Sequence, residues 1–310
     1  MLPVISAVIC THNRAGYLQK AIQSLCDQAL AKEDYEIIII DNASTDETRK
    51  VVSEFTAISN LTYIHEPVLG LSKARNTGLT HARGKYVAFM DDDALAASDW
   101  LEKILAAFQS APGRVGCVGG KIDLLWEDPQ PRWLSDEMCS CLGRLDIGGA
   151  VILNGGKYFL HGVNIAFPKS IFNSVAQFDV SLGRKGTTLL SGEEVSVQKE
   201  LIEKGYLCLY DPKICIQHRV PAERLSQDWF LKRMTWEGVS LSRIEDSDLS
   251  KFKKRIKAVW EMSKLILSLR ILSFFIPARN SFLFGQKCLA TKKINYLLCL
   301  LDSPRERLYA

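Results

Sequence analysis

Three consecutive carboxylates, Asp91-Asp92-Asp93, follow directly on the apolar run Tyr86-Val87-Ala88-Phe89-Met90. Adjacent carboxylates repel one another, and a short apolar run bounded by the turn signal Arg83-Gly84 reads as a buried strand. At the carboxyl end of such a strand the acids would enter the crevice where open α/β sheets bind ligands, and a divalent cation would relieve their repulsion. In isolation the same tripeptide also reads as a solvated acidic turn. Other residues have types suited to the same chemistry. Asp41 ends a second apolar run, Tyr35 to Ile40, and repeats the placement of the triplet. Glu193-Glu194 opens a helical stretch, where the helix dipole alone favours acids. His218 ends the run Ile214 to Gln217; a neutral imidazole there suits a divalent ion, a packed position or solvent.

The elements that would position these residues alternate in type. Val4 to Cys10 reads as a buried strand handing over through Thr11-His12-Asn13-Arg14 to a helix over about 15–28, with Leu18, Ile22 and Leu25 on one face. After Tyr35 to Ile40 the polar stretch Asp41 to Asp46 leads into another helix that Ser44 or Thr45 can cap. Leu61 to Ile64 is a third strand, a helix spans Gly70 to about Arg83, and the strand before the triplet follows. A helix from Asp99 to about Gln109 and a glycine-weakened strand, Val115 to Ile122, come next. Such alternation predicts a parallel, right-handed, doubly wound sheet. Trp126 to Gly149 lacks a clear period and reads as an excursion over the active face. Its Trp126 and Trp133 either present flat rings to a ligand or pack beneath the loop. A helix over Val195 to Lys204 follows, then a short strand, a turn and a second strand over Leu207 to Pro212 and Ile214 to His218.

Thr11-His12-Asn13-Arg14, Ile39-Ile40-Asp41-Asn42-Ala43-Ser44-Thr45-Asp46, Ala74-Arg75-Asn76-Thr77-Gly78 and Phe89-Met90-Asp91-Asp92-Asp93, in this order and spacing, resemble family 2 glycosyltransferases. His161-Gly162-Val163-Asn164-Ile165-Ala166-Phe167, Gly192-Glu193-Glu194 and His218 extend the resemblance, which covers about residues 1–245. It implies a GT-A, Rossmann-like α/β fold: a mixed, mostly parallel sheet flanked by helices, with a C-terminal helical extension. The nucleotide-binding half would be 1–120, the acceptor-binding half 121–245, and the extension 246–310. The resemblance implies that Thr11, Asn13, Arg14, Asp41, Asn42, Ser44, Arg75, Asp91, Asp92 and Asn164 surround a nucleotide-sugar. Asp41 and the first strand end would hold uracil, and Arg75 would support the acidic motif. Asp91, Asp93 and His218 would hold Mn²⁺ or Mg²⁺ on the diphosphate, with Asp92 turned into the protein. Glu194 stands where the family carries its catalytic base, one methylene longer than the usual aspartate, and Glu193 is the alternate. Arg224, shortly after His218, would approach the phosphates. The implied reaction is metal-dependent, inverting transfer from a UDP-sugar to a hydroxyl of a glycan or lipid-linked glycan in surface polysaccharide synthesis.

Composition bounds the partners. With 39 Lys and Arg against 35 Asp and Glu, a net charge of +4 does not indicate nucleic acid. Lys251, Lys253, Lys254, Arg255 and Lys257 cluster beside the apolar run Ala258 to Phe275, which Glu261, Lys264 and Arg270 interrupt. Such a run fits a basic amphipathic helix in a membrane interface better than a span; with Asn295 to Leu301 it also fits helices packed on the catalytic domain or on a second subunit of a homo-oligomer. The 9 cysteines follow no signal peptide and read as reduced thiols of a cytoplasmic protein, peripheral on the inner face of the plasma membrane. Cys139-x-Cys141 lacks the second pair that a zinc site needs. Two alternatives remain: a non-catalytic sugar-nucleotide or polysaccharide binding protein of the same fold, and a nucleotidyltransferase, which would want a glycine-rich basic loop after the first strand.

Overall fold

A computed structural model of the chain describes residues 2–153, 155–156, 158–245, 249–267 and 281–301. The chain forms two compact units: Met1–Leu125 with Gly143–Ser181 and Glu193–Arg219, and Trp126–Leu142 with Leu182–Gly192 and Val220–Ala310.

The first unit is built on a mixed sheet. Strands β1 (Ile5–Thr11), β2 (Tyr35–Asn42), β3 (Leu61–Glu66) and β4 (Tyr86–Asp91) lie in the order β3-β2-β1-β4 and run parallel. The apolar side chains of β1, β2 and β4 are buried on both faces, as the continuous apolar runs require, whereas those of β3, at the sheet edge, are half-buried. Helices α1 (Ala15–Cys26), α2 (Thr48–Ser53) and α3 (Leu71–His81) connect them; α1 buries Leu18, Ala21, Ile22 and Leu25. Register places Thr11 opposite Asp41, Cys10 opposite Asp91 and Asp41 opposite His65, so the polar strand ends share one edge.

Beyond β4 the sheet turns antiparallel. A short strand β5 (Ala94–Ala96) leaves the acidic triplet, and α4 (Trp100–Ser110) leads to β6 (Val115–Trp126). Strands β7 (Val151–Leu153) and β8 (Ile165–Pro168), helix α5 (Glu193–Glu203) and β9 (Leu207–Val220) complete the unit. β8 pairs with β4 and β6, and β9 carries both β7 and β5 as antiparallel neighbours. Two sequence expectations change here. The strand–turn–strand reading of 207–218 gives way to one strand, because Asp211 Oδ1 accepts the Lys213 N–H at 2.9 Å and the local Asp-Pro kink stays within β9. Neither Ser44 nor Thr45 caps α2. Asp46 Oδ1 takes the Thr48 N–H at 3.0 Å, while the Ser44 hydroxyl accepts from the Asn13 N–H.

The second unit is helical, with α6 (Gln227–Glu245), α7 (Lys251–Leu267) and α8 (Ser281–Leu300). Gly238 lets α6 approach the α8 backbone, where a Cβ would meet the Lys292 carbonyl. Trp133 packs edge-on against Phe230 and Phe284 at 5.2 and 4.8 Å, which favours packing over sugar stacking for that ring. The part of the apolar run Ala258 to Phe275 beyond Leu267 lies outside the described residues. Among the described residues no helix is long and apolar enough to cross a membrane.

Gly84, at the turn into β4, sits where a Cβ would lie 2.7 Å from Ser6 N and 2.8 Å from the Ile5 carbonyl carbon. Backbone cannot yield as a side-chain tip can, so Gly84→Ala is expected to destabilise by about 1–3 kcal/mol. Gly16→Ala, in α1 with nothing within 4 Å, should be neutral or stabilising, and urea unfolding of the two variants beside wild type reads both effects.

Candidate active site

The loop after β1 is the first wall of the crevice. Asn13 adopts a left-handed φ of 53°, which asparagine tolerates. Its Oδ1 accepts the Thr45 N–H at 2.7 Å, and Ser44 Oγ accepts from the Asn13 N–H, so the ends of β1 and β2 are laced together. Ala43 is also left-handed, φ 57°, where its Cβ has no side-chain compensation. Strain of this kind gathers at functional loops.

Asp41 is buried, with Oδ1 accepting from the Ser44 N–H at 3.0 Å and Oδ2 from the Tyr63 hydroxyl at 2.6 Å. Burial, then that carboxylate, push the Tyr63 hydroxyl up to about 12. Tyr63 and His65, the latter 3.9 Å from Asp41, were not singled out from the sequence. Only the β2–β3 register brings them there, and no local signal marks them. Asn42 is committed to structure: its amide donates to the Glu66 and Val68 carbonyls and accepts from the Gly70 N–H. Asn164 is likewise 1% exposed, accepting from Trp100 Nε1 and donating to the carbonyls of Lys121 and Ile214. Both amides are thus hydrogen-bonded within the protein, to backbone groups and, for Asn164, to an indole.

The three acids of the triplet face different partners. Asp92 points inward, accepting from Thr11 Oγ1 at 2.7 Å and pairing with Arg14 Nε at 3.3 Å. Burial, opposed by Arg14 and reinforced by Asp93, lifts its carboxyl to about 7. Arg14 Nη2 also binds Asp93 Oδ2 at 2.6 Å, so the arginine read as a nucleotide contact serves as counter-ion to two acids. The β5–β9 pairing sets Ala94 opposite His218, and the imidazole Nε2 comes to 3.1 Å from Asp93 Oδ1. Asp91 remains half-exposed at the end of β4.

Arg75, on α3, joins the two acidic motifs. It is buried, forms an ion pair with Glu193 Oε1, and reaches Asp91 Oδ1 at 3.4 Å. Burial opposes its charge, yet Glu193, Asp91 and Glu194 together hold the guanidinium protonated. A Cβ on Gly162 would strike that guanidinium, and the Gly162 N–H lies 3.4 Å from Glu194 Oε1. Glycine is thus required at 162 for Arg75 to reach both acids. The Oε2 atoms of Glu193 and Glu194 are buried and have no hydrogen-bond partner among the described residues. Cys10 lies in the same network, but burial pushes its thiol up to about 12, which keeps it an inert thiol.

Asp91, Asp93 and His218 each present one ligand atom, all within 4.8 Å of one another. Two carboxylates and an imidazole suit Mn²⁺ or Mg²⁺. Arg224 is in the second unit, in a short turn with its guanidinium 5.9 Å above the Trp229 ring.

The mixed sheet with acids and a histidine gathered at its carboxyl edge is the GT-A fold shared with solved glycosyltransferases. The mannosyltransferase PcManGT of Pyrobaculum calidifontis, solved with GDP-Man and Mn²⁺, superposes with a TM-score of 0.61 at 19% identity, over 96% of this chain and 88% of that one. TarS 1-349 of S. aureus, solved with UDP-GlcNAc, gives 0.56 at 18% identity over 98% and 92%. The chain matches the model of glycosyl transferase family 2 over residues 6–175, and it belongs to that family. Glucosyl-dolichyl phosphate glucuronosyltransferase of Haloferax volcanii is 26% identical over 240 residues, 76% of this chain and 75% of that protein. Validoxylamine A glucosyltransferase of Streptomyces hygroscopicus subsp. jinggangensis is 36% identical over 124 residues, which are 38% of this chain and 29% of that protein. The protein is a glycosyltransferase, and the readings as a binding protein or a nucleotidyltransferase fall away.

Burial first and Glu194 second lift the Glu193 carboxyl to about 7, against the pull of Arg75. A raised carboxyl contributes stability that is complete below its unfolded value near 4.5 and is lost as pH rises through 7. Glu193→Gln removes that contribution. In chelator, the variant should therefore gain stability relative to wild type as pH rises from 4.5 to 7, read by urea unfolding across that window.

Proposed function

We propose that the chain is a metal-dependent, inverting glycosyltransferase that moves a sugar from a nucleotide donor, a UDP-sugar, to a hydroxyl of a glycan or lipid-linked glycan. Surface polysaccharide synthesis is the setting that fits such an acceptor. The observation that carries the reading is the convergence of Asp91, Asp93 and His218 within 4.8 Å, tied through Arg75 to Glu193 at the start of α5. Donors with this chemistry occupy the structural neighbours, as GDP-Man in one and UDP-GlcNAc in another. The Haloferax relative bears a lipid phosphate in its name, which supports a lipid-linked acceptor.

Asp41 offers a buried carboxylate that can accept from the N3–H of uracil, with Tyr63 and His65 beside it. Asp91, Asp93 and His218 would hold the divalent ion, which supplies positive charge to the donor's diphosphate. Glu193 is buried and engaged by Arg75, whereas Glu194 is only partly buried. Glu194 is therefore the base. It takes the proton of the acceptor hydroxyl as that oxygen bonds to the anomeric carbon from the face opposite the leaving group. The bond from that carbon to the diphosphate oxygen breaks, its electron pair leaves with the nucleotide, and the configuration inverts. Peripheral contact with the inner face of the plasma membrane would bring the enzyme to a lipid-linked acceptor.

Calorimetric titration of UDP and of GDP, with Mn²⁺, with Mg²⁺ and with chelator, tests the donor site. Metal-dependent UDP binding that Asp93→Ala abolishes is the expected result; no nucleotide binding under any condition would refute the reading. Glu194→Gln should bind nucleotide as wild type does and lose about 10²–10⁴-fold in transfer rate. Retention of near-full turnover by that variant would move the base to Glu193.

A further inference from the structure

Helix α7 buries Ala258 and Leu265 against Tyr296, Leu297 and Leu300, as a packed helix should. Its other face is also apolar. Phe252, Ile256, Val259 and Trp260 recur at helical spacing, and each is more than half exposed, Phe252 at 72% and Trp260 at 58%. On α8, Phe282 and Leu289 are exposed in the same way. A contiguous run of large apolar side chains on a soluble surface marks an interaction site. Cations alternate with this ridge: Lys251, Lys253 and Arg255 are exposed, and Lys254 and Lys257 half-buried. Behind the ridge, helices α6, α7 and α8 enclose a cleft of about 670 Å³ lined by Lys257, Lys264, Lys292 and Lys293, against Glu245 and Glu261.

We infer that this α7–α8 face docks on an anionic lipid bilayer, the apolar ridge entering the acyl boundary and a lipid phosphate entering the lysine-lined cleft. The inference rests on the peripheral membrane contact proposed above and supplies the surface that makes it. Two features select a bilayer over a second copy of the chain. Self-pairing that brings two α7 N-terminal halves together would set Lys251, Lys253, Lys254, Arg255 and Lys257 against the same five cations, whereas anionic headgroups complement all five together. An exposed apolar stripe of Phe252, Ile256, Val259 and Trp260, flanked by exposed Lys253, Arg255 and Lys264, also suits a helix that lies in the interface plane. Lys264 lies 3.0 Å from the centroid of the Trp260 ring, and Lys257 and Lys293 lie over Tyr296 at 5.4 and 5.2 Å. In the cleft Lys293 and Lys264 pair with Glu261 at 3.0 and 3.5 Å and Lys292 with Glu237 at 3.6 Å, so an entering phosphate competes with these two carboxylates for the ammonium groups.

The test is flotation of the full chain with vesicles of phosphatidylcholine alone or mixed with phosphatidylglycerol. Binding to the anionic vesicles only, weakening as salt rises, is expected. Phe252→Ser with Trp260→Ser should lower the bound fraction about tenfold, and Lys292→Gln with Lys293→Gln should erode the preference for phosphatidylglycerol. Circular dichroism of these surface variants should match wild type. Absence of vesicle binding would overturn the inference, as would equal binding to neutral vesicles. Sedimentation showing a dimer lost in Trp260→Ser, without vesicle binding, would assign the face to a second copy. Inorganic phosphate binding in the cleft without vesicle binding would reduce it to a free-anion site. UDP titration of the same preparations keeps the readings apart: nucleotide binding without vesicle binding sinks only the docking face, and the converse sinks only the donor site.

Discussion

The site depends on one buried cation. Arg75 is carried by α3, but its partners belong to β4 and to α5, so a single guanidinium fixes the distance between the acidic triplet and the acids that open α5. Burying an ion is costly unless it is paired with good geometry, and removing one partner of a buried pair costs about 3–5 kcal/mol because the other charge is stranded. Arg75 is held by carboxylates on two sides, and the fold accordingly gives up a side chain at Gly162 to make room for it. A rigid linkage of this kind suits a transferase, in which the leaving diphosphate and the base must keep their relation while substrates come and go.

Arg14 does comparable work on the other side of the triplet. With Asp92 and Asp93 both buried, the chain needs a positive charge there before any ligand arrives, and Arg14 provides it from the turn after β1. Asp92 is thereby drawn inward, bonded to Thr11 at the end of the neighbouring strand. Asp91 and Asp93 are left toward the crevice with His218. Three identical side chains in a row acquire three roles through neighbours supplied by β1, α3 and β9. Arg14 holds Asp93 Oδ2, while Oδ1 lies beside His218 and is the oxygen that a divalent ion would take.

The second unit follows a different logic. Helices α6 and α8 are joined by close backbone approach at Gly238 and by buried polar contacts such as Asn295 with Thr235, while α7 lies against them with only one of its two apolar faces covered. The sequence allowed either packing or membrane contact for these helices. The structure packs one face of α7 and leaves Phe252, Ile256, Val259 and Trp260 exposed on the other.

Much of the fold could be read directly. Continuous apolar runs such as Ile37 to Ile40 and Val87 to Met90 determine buried parallel strands, and the spacing of Leu18, Ile22 and Leu25 determines a helix laid on them, because these are local consequences of side-chain periodicity. Polar residues ending those runs marked Asp41 and the triplet as candidates. Periodicity says nothing about which strands become neighbours. Only the β2–β3 register brings Tyr63 to Asp41, only β5 on β9 brings His218 to Asp93, and only the packing of α3 and α5 sets Arg75 on Glu193. Asn42 and Asn164 had the chemistry of ligand contacts, yet backbone carbonyls and an indole claimed their amides. Sequence alone determined the elements and the inventory of charged groups; the tertiary structure decided which charges neutralise one another and which face the crevice, since that depends on contacts between residues far apart in the chain.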